Sequence, residues 1–283
     1  MEKIRKTVIG KGKNKKLTYV FSTPEDLAAN LAEKILEMIK KAKINNKQFF
    51  LGCPTGRSPF DTYREIGKLA GERKQDLSHL ILVMMDDYVL PDSNGGFKHC
   101  PSDAHYSCRR FVYEDMQAVF NEGLSEEKQL QRENIWFPDP SDPAAYDVRI
   151  KTAGGVDLFI VASGASDGHI AFNPAGTPSN APSRIIRISE STRKDNLGTF
   201  PEFRNLSEVP EHGISIGLKS ISELSKQIVL IIHGEHKQYS VQRLNKLDSF
   251  SKEWPVSIIY NALGEVSVWL DERAAQGLIK GGI

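Results

Sequence analysis

Asp167 and His169 are two residues whose types and spacing suit acid–base chemistry. They stand on a glycine-containing turn that directly follows the apolar run at residues 156–162. Such a run is typical of a buried strand, and open α/β sheets bind ligands at the carboxyl ends of their strands. An imidazole carries protons near neutral pH, and a neighbouring carboxylate can fix its tautomer. The pair predicts an acid–base site; the alternative is a helix-capping Asp beside a structural His.

A second pair of acids, Asp86 and Asp87, follows the apolar run at residues 80–85. Neighbouring side chains in an extended segment point in different directions, so one carboxylate can face a site while the other is structural. A desolvated Asp at this place can act as a general base. The alternative is a Mg²⁺ site built from carboxylates and substrate phosphates, but no third acid lies close in the sequence.

A third strand end carries the loop Cys-Pro-Thr-Gly-Arg-Ser-Pro at residues 53–59, between a buried strand and a helix. Backbone amides at a helix start, with the hydroxyls of Thr55 and Ser58, make a phosphate cradle, and Gly56 lets the backbone approach an anion closely. The alternative is a simple turn with a helix cap. The three loops together favour an enzyme that acts on a small phosphorylated substrate.

Composition narrows the class of protein. The chain has 283 residues, of which 40% are hydrophobic and 26% charged, as in ordinary globular proteins. A net charge of +1 gives no electrostatic case for a nucleic-acid or membrane partner. Three cysteines without metal-ligand spacing favour a reducing cytoplasm over a disulfide framework. The basic N-terminus lacks the apolar segment of a secretory signal, and its lysines are expected to form a solvated edge.

Helical and strand-like patterns alternate along most of the chain. Strands are expected at residues 17–21, 48–52, 80–85, 156–162, 184–188, 227–232, 256–260 and 266–269. Helices are expected from residue 24 onward and at residues 59–69, 105–120 and 144–151, with loops at 95–101 and 174–183. Continuous apolar strands separated by helices predict an α/β fold with a mostly parallel sheet covered on both faces. With no repeat or linker, residues 1–283 are expected to form one domain.

These motifs, in this order, resemble the glucosamine-6-phosphate deaminase/6-phosphogluconolactonase superfamily, and the deaminase branch more closely. The resemblance runs from the first helix to about Leu244. Its marks are the loop at residues 54–59, Met85-Asp86-Asp87-Tyr88, Tyr106-Ser107, the run 167–173, the run 191–196, Val209-Pro210, Ser215-Ile216-Gly217 and Gly234-Glu235-His236-Lys237. The resemblance implies a modified doubly wound sandwich of three layers, with the site at the carboxyl ends of the strands.

The resemblance also implies a role for each matching residue. Asp86 corresponds to the base that moves a proton between C1 and C2 of the opened amino sugar. His169 corresponds to the group that opens the ring, with Asp167 held beside it. The residues that match the phosphate cradle are Thr55, Gly56, Arg57, Ser58 and Lys237. No cofactor or metal is implied, and the expected partner is a small sugar phosphate, with a homo-oligomer as a possible assembly.

The chain departs from the deaminase pattern at three places. Pro174 follows Asn173 where the family has a Glu that partners the His, Arg57 replaces the second cradle Gly, and Gly198 stands near the expected place of a phosphate-binding Arg. The hypothesis is that Arg57 replaces that missing Arg, since a guanidinium can grip a phosphate with two bonds. Two alternatives stay open: a 6-phosphogluconolactonase-like hydrolase that uses His169 to activate water, and a sugar-phosphate sensor without catalysis.

Overall fold

The computed structural model describes residues 4–279. These residues form twelve strands: β1 (Arg5–Ile9), β2 (Lys16–Phe21), β3 (Phe49–Cys53), β4 (Leu80–Met84), β5 (Asp86–Pro91), β6 (Phe97–His99), β7 (Ile135–Trp136), β8 (Leu158–Ala162), β9 (Arg184–Arg187), β10 (His212–Ser215), β11 (Gln227–Ile232) and β12 (Glu265–Asp271). The α-helices of the same residues are α1 (Pro24–Ile44), α2 (Arg57–Arg73), α3 (Cys108–Phe111), α4 (Ala118–Asn121), α5 (Pro143–Thr152), α6 (Glu190–Thr199), α7 (Leu218–Leu224), α8 (Gln238–Asn245) and α9 (Glu272–Ile279).

Eight strands form one sheet in the order β1-β2-β12-β11-β8-β3-β4-β7. The pairs from β2 to β7 are parallel, and β1 alone pairs antiparallel, with β2. In β11 the side chains of Ile228 and Leu230 pack in one apolar cluster, whereas Val229 and Ile231 pack in the other. Because alternate residues of a strand point to opposite faces, both faces of the sheet are buried.

Helices cover each face. The first apolar cluster contains residues of α5, α7 and α8, and the second contains residues of α1 and α2. The predicted mostly parallel α/β sandwich is thereby confirmed. The start of α1 also follows the sequence signal, since the side chain of Thr23 accepts a hydrogen bond of 3.1 Å from the backbone N–H of Asp26 and Pro24 occupies the first turn.

A second sheet was not foreseen from the sequence. It has four antiparallel strands in the order β6-β5-β10-β9, and β6 lies within the expected loop at residues 95–101. Asp86 is the first residue of β5 and pairs with Ser215 of β10. The chain therefore passes from β4 of the large sheet into the small one through the two acids, which lie where the two sheets meet.

One further expectation was wrong. Residues 256–260 are not a strand, because Pro255–Asn261 forms a buried 3₁₀-helix. A short, wholly apolar run carries no periodicity that separates a buried strand from a buried helical segment. The helix expected at residues 105–120 is present at residues 108–121, where α3, a π-helical segment at Val112–Gln117 and α4 follow one another without a break. The basic N-terminus also contains β1, an edge strand of the large sheet that was not predicted from the sequence.

No helix within residues 4–279 has the length and apolar character needed to span a membrane.

Candidate active site

A cavity of about 320 Å³ opens at the carboxyl ends of the parallel strands. Seven of the eight residues singled out from the sequence line it: Thr55, Gly56, Arg57, Ser58, Asp86, His169 and Lys237. The eighth, Asp167, reaches the cavity through its hydrogen bond to His169. The fold thus brings three separate strand ends and the start of α8 to one concave site, as the sequence analysis required.

The dyad of Asp167 and His169 has the geometry of an oriented acid–base pair. Nδ1 of His169 lies 2.7 Å from Oδ1 of Asp167, which also accepts a 3.1 Å hydrogen bond from the backbone N–H of His169. Because a carboxylate can only accept, Nδ1 carries the proton. His169 lines the cavity, and this contact leaves Nε2 as the ring nitrogen that can take a proton from a ligand.

Two hydroxyls of α6 complete the surroundings of this dyad. Ser191 donates a 2.5 Å hydrogen bond to Oδ2 of Asp167, and Oγ1 of Thr192 lies 3.2 Å from Nδ1 of His169. Burial would raise the pKa of Asp167, but the hydrogen bonds from His169 and Ser191 outweigh it and hold that pKa well below its usual range. Asp167 is therefore a permanent carboxylate that orients the imidazole.

The turn of the dyad needs glycine at residue 164. A Cβ atom at Gly164 would lie 2.3 Å from Nδ1 of His169 and 2.5 Å from Oδ1 of Asp167. The backbone of Gly164 also donates a 2.8 Å hydrogen bond to the carbonyl of His169. Close approach of the backbone, which only glycine permits, therefore holds the dyad against the end of β8.

Asp86 faces the cavity from the start of β5 and is 7% exposed. Burial, with a further contribution from the charge of Asp87, raises the pKa of Asp86 to about 7, and a contact with the thiol of Cys108 acts in the opposite direction. A carboxylate whose pKa lies near neutral can both take and return a proton under ordinary conditions. Asp86 thus has the electrostatic properties of a general base.

Asp87 is a structural residue, which decides the ambiguity that the sequence left between the two acids. It is fully buried, and its Oδ2 accepts hydrogen bonds from Nδ1 of His99 at 2.8 Å and from Nε of Arg109 at 3.0 Å. Its Oδ1 accepts one from the backbone N–H of Cys108 at 3.0 Å. Asp87 ties β6 and the start of α3 to β5, and it does not line the cavity.

The cationic end of the cavity, at the start of α2, suits an anion. Gly56 precedes α2 with a φ of 93°, a conformation that favours glycine, and no side chain caps the N-terminus of this helix. The first amides of α2 are therefore available to a negatively charged group. Among residues 4–279, the exposed guanidinium of Arg57 forms no hydrogen bond or ion pair, so its donors are also available.

Lys237 extends this cationic end from the short helical turn before α8. Its Nζ donates a 2.5 Å hydrogen bond to the carbonyl of Ser163 and lines the cavity. Burial lowers the pKa of Lys237 to about 8, while the carboxylate of Asp195 acts in the opposite direction. The lysine is therefore mostly protonated at neutral pH and can attract an anion.

Sequence reasoning missed several residues of the site. His233 donates a 2.9 Å hydrogen bond from Nε2 to the carbonyl of Ser58 and so holds the start of α2, while Asp195 lines the cavity near Lys237. Ser191 and Thr192 belong to the run 191–196 that resembles the family, but the sequence suggested no role for either of them or for Cys108. Each acts through a contact with a residue distant in the chain, so no local signal could have found it.

The site has no arrangement typical of a metal centre. Among the residues that the structure describes, no group of three or more His, Cys, Asp or Glu side chains is placed to hold a metal ion. The groups available for chemistry are the carboxylates, the imidazole and the cationic end described above.

Comparison of the sequence with known proteins shows the family to which this chain belongs. A glucosamine-6-phosphate isomerase of Candida albicans is 30% identical over 267 residues, which cover 92% of this chain and 97% of that protein. A glucosamine-6-phosphate deaminase of Bacillus cereus is 32% identical over 256 residues, or 90% of this chain and 86% of that protein. The chain belongs to the glucosamine-6-phosphate deaminase/isomerase family. No protein-family model matches it.

Solved structures of the superfamily share the fold. A monomeric glucosamine-6-phosphate deaminase matches with a TM-score of 0.75 at 23% identity, over 92% of this chain and 98% of that one. The 6-phosphogluconolactonase from Trypanosoma cruzi matches with a TM-score of 0.64 at 14% identity, over 92% of this chain and 96% of that one. The α/β fold is thus common to both branches of the superfamily.

Of the departures from the family pattern, the one at Pro174 lies outside the cavity. Pro174 does not line the cavity, and its carbonyl accepts hydrogen bonds from the backbone and hydroxyl of Thr177. The preceding Asn173 is fully buried; it donates to the carbonyl of Ile216 at 2.8 Å and accepts from Arg184 at 2.9 Å. The end of this motif is therefore structural in this chain, and a carboxylate after Asn173 is absent from the site.

Proposed function

We propose that this chain is an enzyme of phosphorylated amino sugars that opens the sugar ring and moves a proton between C1 and C2. The observation that carries the proposal is the cavity itself, which holds Asp86 and the imidazole of His169 together with the exposed guanidinium of Arg57. Binding of the phosphate at the cationic end would fix the sugar so that its reacting carbons lie against the two acid–base groups.

The steps follow from the groups at hand. The Nε2 atom of His169 takes the proton of the anomeric hydroxyl and returns it to the ring oxygen as the ring opens to the aldehyde. Asp86, as a carboxylate, then removes the proton from C2 and delivers it to C1. With a 2-amino sugar, one proton of the amino nitrogen passes to O1 in the same step, which leaves an imine at C2 that water hydrolyses to a ketose and ammonia.

Pro174 favours a second candidate reaction, isomerisation or lactone hydrolysis without loss of ammonia. The family Glu that partners the His is absent, so the carboxylate of Asp167, with the hydroxyl of Thr192 beside it, is what lies against Nδ1 of His169. Three measurements on the purified protein separate the candidates. Release of ammonia and fructose 6-phosphate from glucosamine 6-phosphate supports deamination, and acid release from 6-phosphogluconolactone supports a hydrolase. Ligand-dependent stabilisation without turnover of any sugar phosphate supports a sensor.

Removal of the Arg57 guanidinium should weaken binding of phosphorylated substrates. Charge-assisted hydrogen bonds contribute about 1.5–3 kcal/mol, so we expect Arg57→Ala to raise KM about ten- to a hundredfold with a smaller change in kcat. Steady-state kinetics of the purified variant measures both constants. Arg64→Ala, in the same helix but outside this cavity, is the matched control. An unchanged KM in Arg57→Ala would remove the assigned role.

Activity should be confined to a narrow pH range. Asp86 must be deprotonated to act as a base, and burial raises its pKa to about 7, so kcat should fall as the pH drops below that value. Lys237 must be protonated to hold the phosphate, and its pKa is lowered to about 8, so KM should rise above that value. Lys237→Arg, which stays charged, should flatten the alkaline rise of KM. A pH profile of kcat without an acid limb near neutral pH would exclude Asp86 as the base.

Cellular setting and assembly remain predictions. The cysteines Cys53, Cys100 and Cys108 are all buried and unpaired, which supports the proposal of a reducing cytoplasm. We also propose that the chain is a single domain, with a homo-oligomer as a possible assembly. Light scattering of the purified protein measures the latter.

A further inference from the structure

Cys108 lies between Thr55 of the anion-binding loop and Asp86. It is the first residue of α3, is 4% exposed, and lines the cavity with Asp86 and Thr55. The hydroxyl of Thr55 donates a 3.3 Å hydrogen bond to Sγ of Cys108, and the thiol in turn contacts Oδ1 of Asp86 at 3.7 Å. A continuous chain of hydrogen bonds therefore joins the anion-binding loop to the carboxylate.

Hydrogen bonds hold the backbone at Cys108 in place, and the thiol stays protonated. The backbone N–H of Cys108 donates to the buried Asp87, and the side chain of Ser107 caps the start of α3. Burial, with the charges of Asp86 and Asp87, raises the pKa of Cys108 well above its usual value. Cys108 is thus a fixed hydrogen-bond donor and not a nucleophile.

We propose that Cys108 is a positioning residue that couples occupancy of the anion-binding loop to the carboxylate of Asp86. The inference rests on the proposed function, in which the loop takes a phosphate and Asp86 is the base. The hydroxyl of Thr55 has one proton, so it donates either to the sulfur or to a phosphate oxygen. When phosphate takes this donor, the oxygen of Thr55 is free to accept a hydrogen bond from the thiol, and the S–H bond of Cys108 turns from Asp86 to Thr55 while the sulfur stays in place.

No proton changes owner in this rearrangement; only the directions of two hydrogen bonds change. Asp86 loses a donor that stabilises its charged form, so the carboxylate becomes a stronger base when the phosphate is bound. The device would keep the base weak in the empty enzyme and strengthen it once a substrate is in place.

The test is a titration of the Asp86 carboxyl by infrared difference spectroscopy, with and without inorganic phosphate as the probe. Asp86→Asn identifies the band. The charge of phosphate acts on Asp86 in every variant, so the relay is the part of the phosphate-induced shift that Cys108→Ala removes. We expect that part to be about half a pH unit or more, with the midpoint of empty Cys108→Ala already raised. Cys108→Ser, which keeps a one-proton donor, should restore part of the response.

Thr55→Val provides a second route that leaves Cys108 intact, and it should also reduce the phosphate response. Cys53→Ala is the matched control, because this buried thiol donates to the carbonyl of Leu51 and does not line the cavity. Equal phosphate responses in the wild type, Cys108→Ala and Thr55→Val would overturn the relay while leaving the proposed function intact. Failure of phosphate to bind the wild type at all would instead contradict the anion site of the proposed function.

Discussion

Replacement of Asp86 by Asn should abolish turnover without unfolding the protein. The amide keeps the shape of the side chain but cannot take a proton, and loss of a general base typically costs about 10²- to 10⁴-fold in rate. We expect kcat to fall by about a thousandfold while KM changes little, since Asp86 is assigned to proton transfer and not to binding of the phosphate.

The folded state should tolerate this change. Asp86 is 7% exposed, and burial disfavours its charged form, so a neutral side chain of the same size removes an unfavourable charge and not a stabilising one. Thermal unfolding is expected at a Tm equal to or above that of the wild type. Retention of kcat within tenfold, at an unchanged Tm, would exclude Asp86 as the base.

The corresponding substitution of the next residue, Asp87→Asn, should instead destabilise the folded protein. Both oxygens of Asp87 accept hydrogen bonds from N–H donors, so the amide of Asp87→Asn must turn its NH₂ group toward His99 and Arg109 or toward the backbone N–H of Cys108. Either orientation places a donor against a donor. It also leaves the guanidinium of Arg109 without its buried counter-charge.

Removing one partner of a buried ion pair costs about 3–5 kcal/mol. We therefore expect Asp87→Asn to lower the free energy of unfolding by about that amount and to lower Tm by roughly 10 °C. Denaturant unfolding measures the first quantity and calorimetry the second. The two neighbours are each other's control, because the chemical change is identical. A stable Asp87→Asn protein that had lost only its activity would reverse the assignment of the two acids.

The sequence anticipated which groups meet in the cavity because its signals are local. The dyad of Asp167 and His169 spans three residues, and the loop around Gly56 directly joins a strand to a helix. In a parallel sheet, carboxyl ends of strands meet at one edge, so correct identification of the strands before residues 53, 86 and 167 was enough to bring these groups together. The large sheet followed for the same reason, as its strands are continuous apolar runs.

Where local patterns were ambiguous, the expectations failed. The buried segment Pro255–Asn261 has the composition of a strand but packs as a 3₁₀-helix, and β6 and β10 are short antiparallel strands whose pairing is decided by distant residues. Strand propensity depends on the neighbours against which a side chain packs, which the sequence of the strand itself does not contain.

By itself, the sequence determined which residues end each strand and therefore which chemical groups stand at the edge of the sheet. Only the tertiary structure decided which acid of the pair faces the cavity, because that depends on the passage of the chain from β4 into β5 and on the donors that surround Asp87. It alone placed the hydroxyl of Ser191 against Asp167 and the thiol of Cys108 against Asp86, 24 and 22 residues away in the chain. Hydrogen bonds act over about 3 Å in space, whatever the distance along the chain, and this is why packing had to decide them.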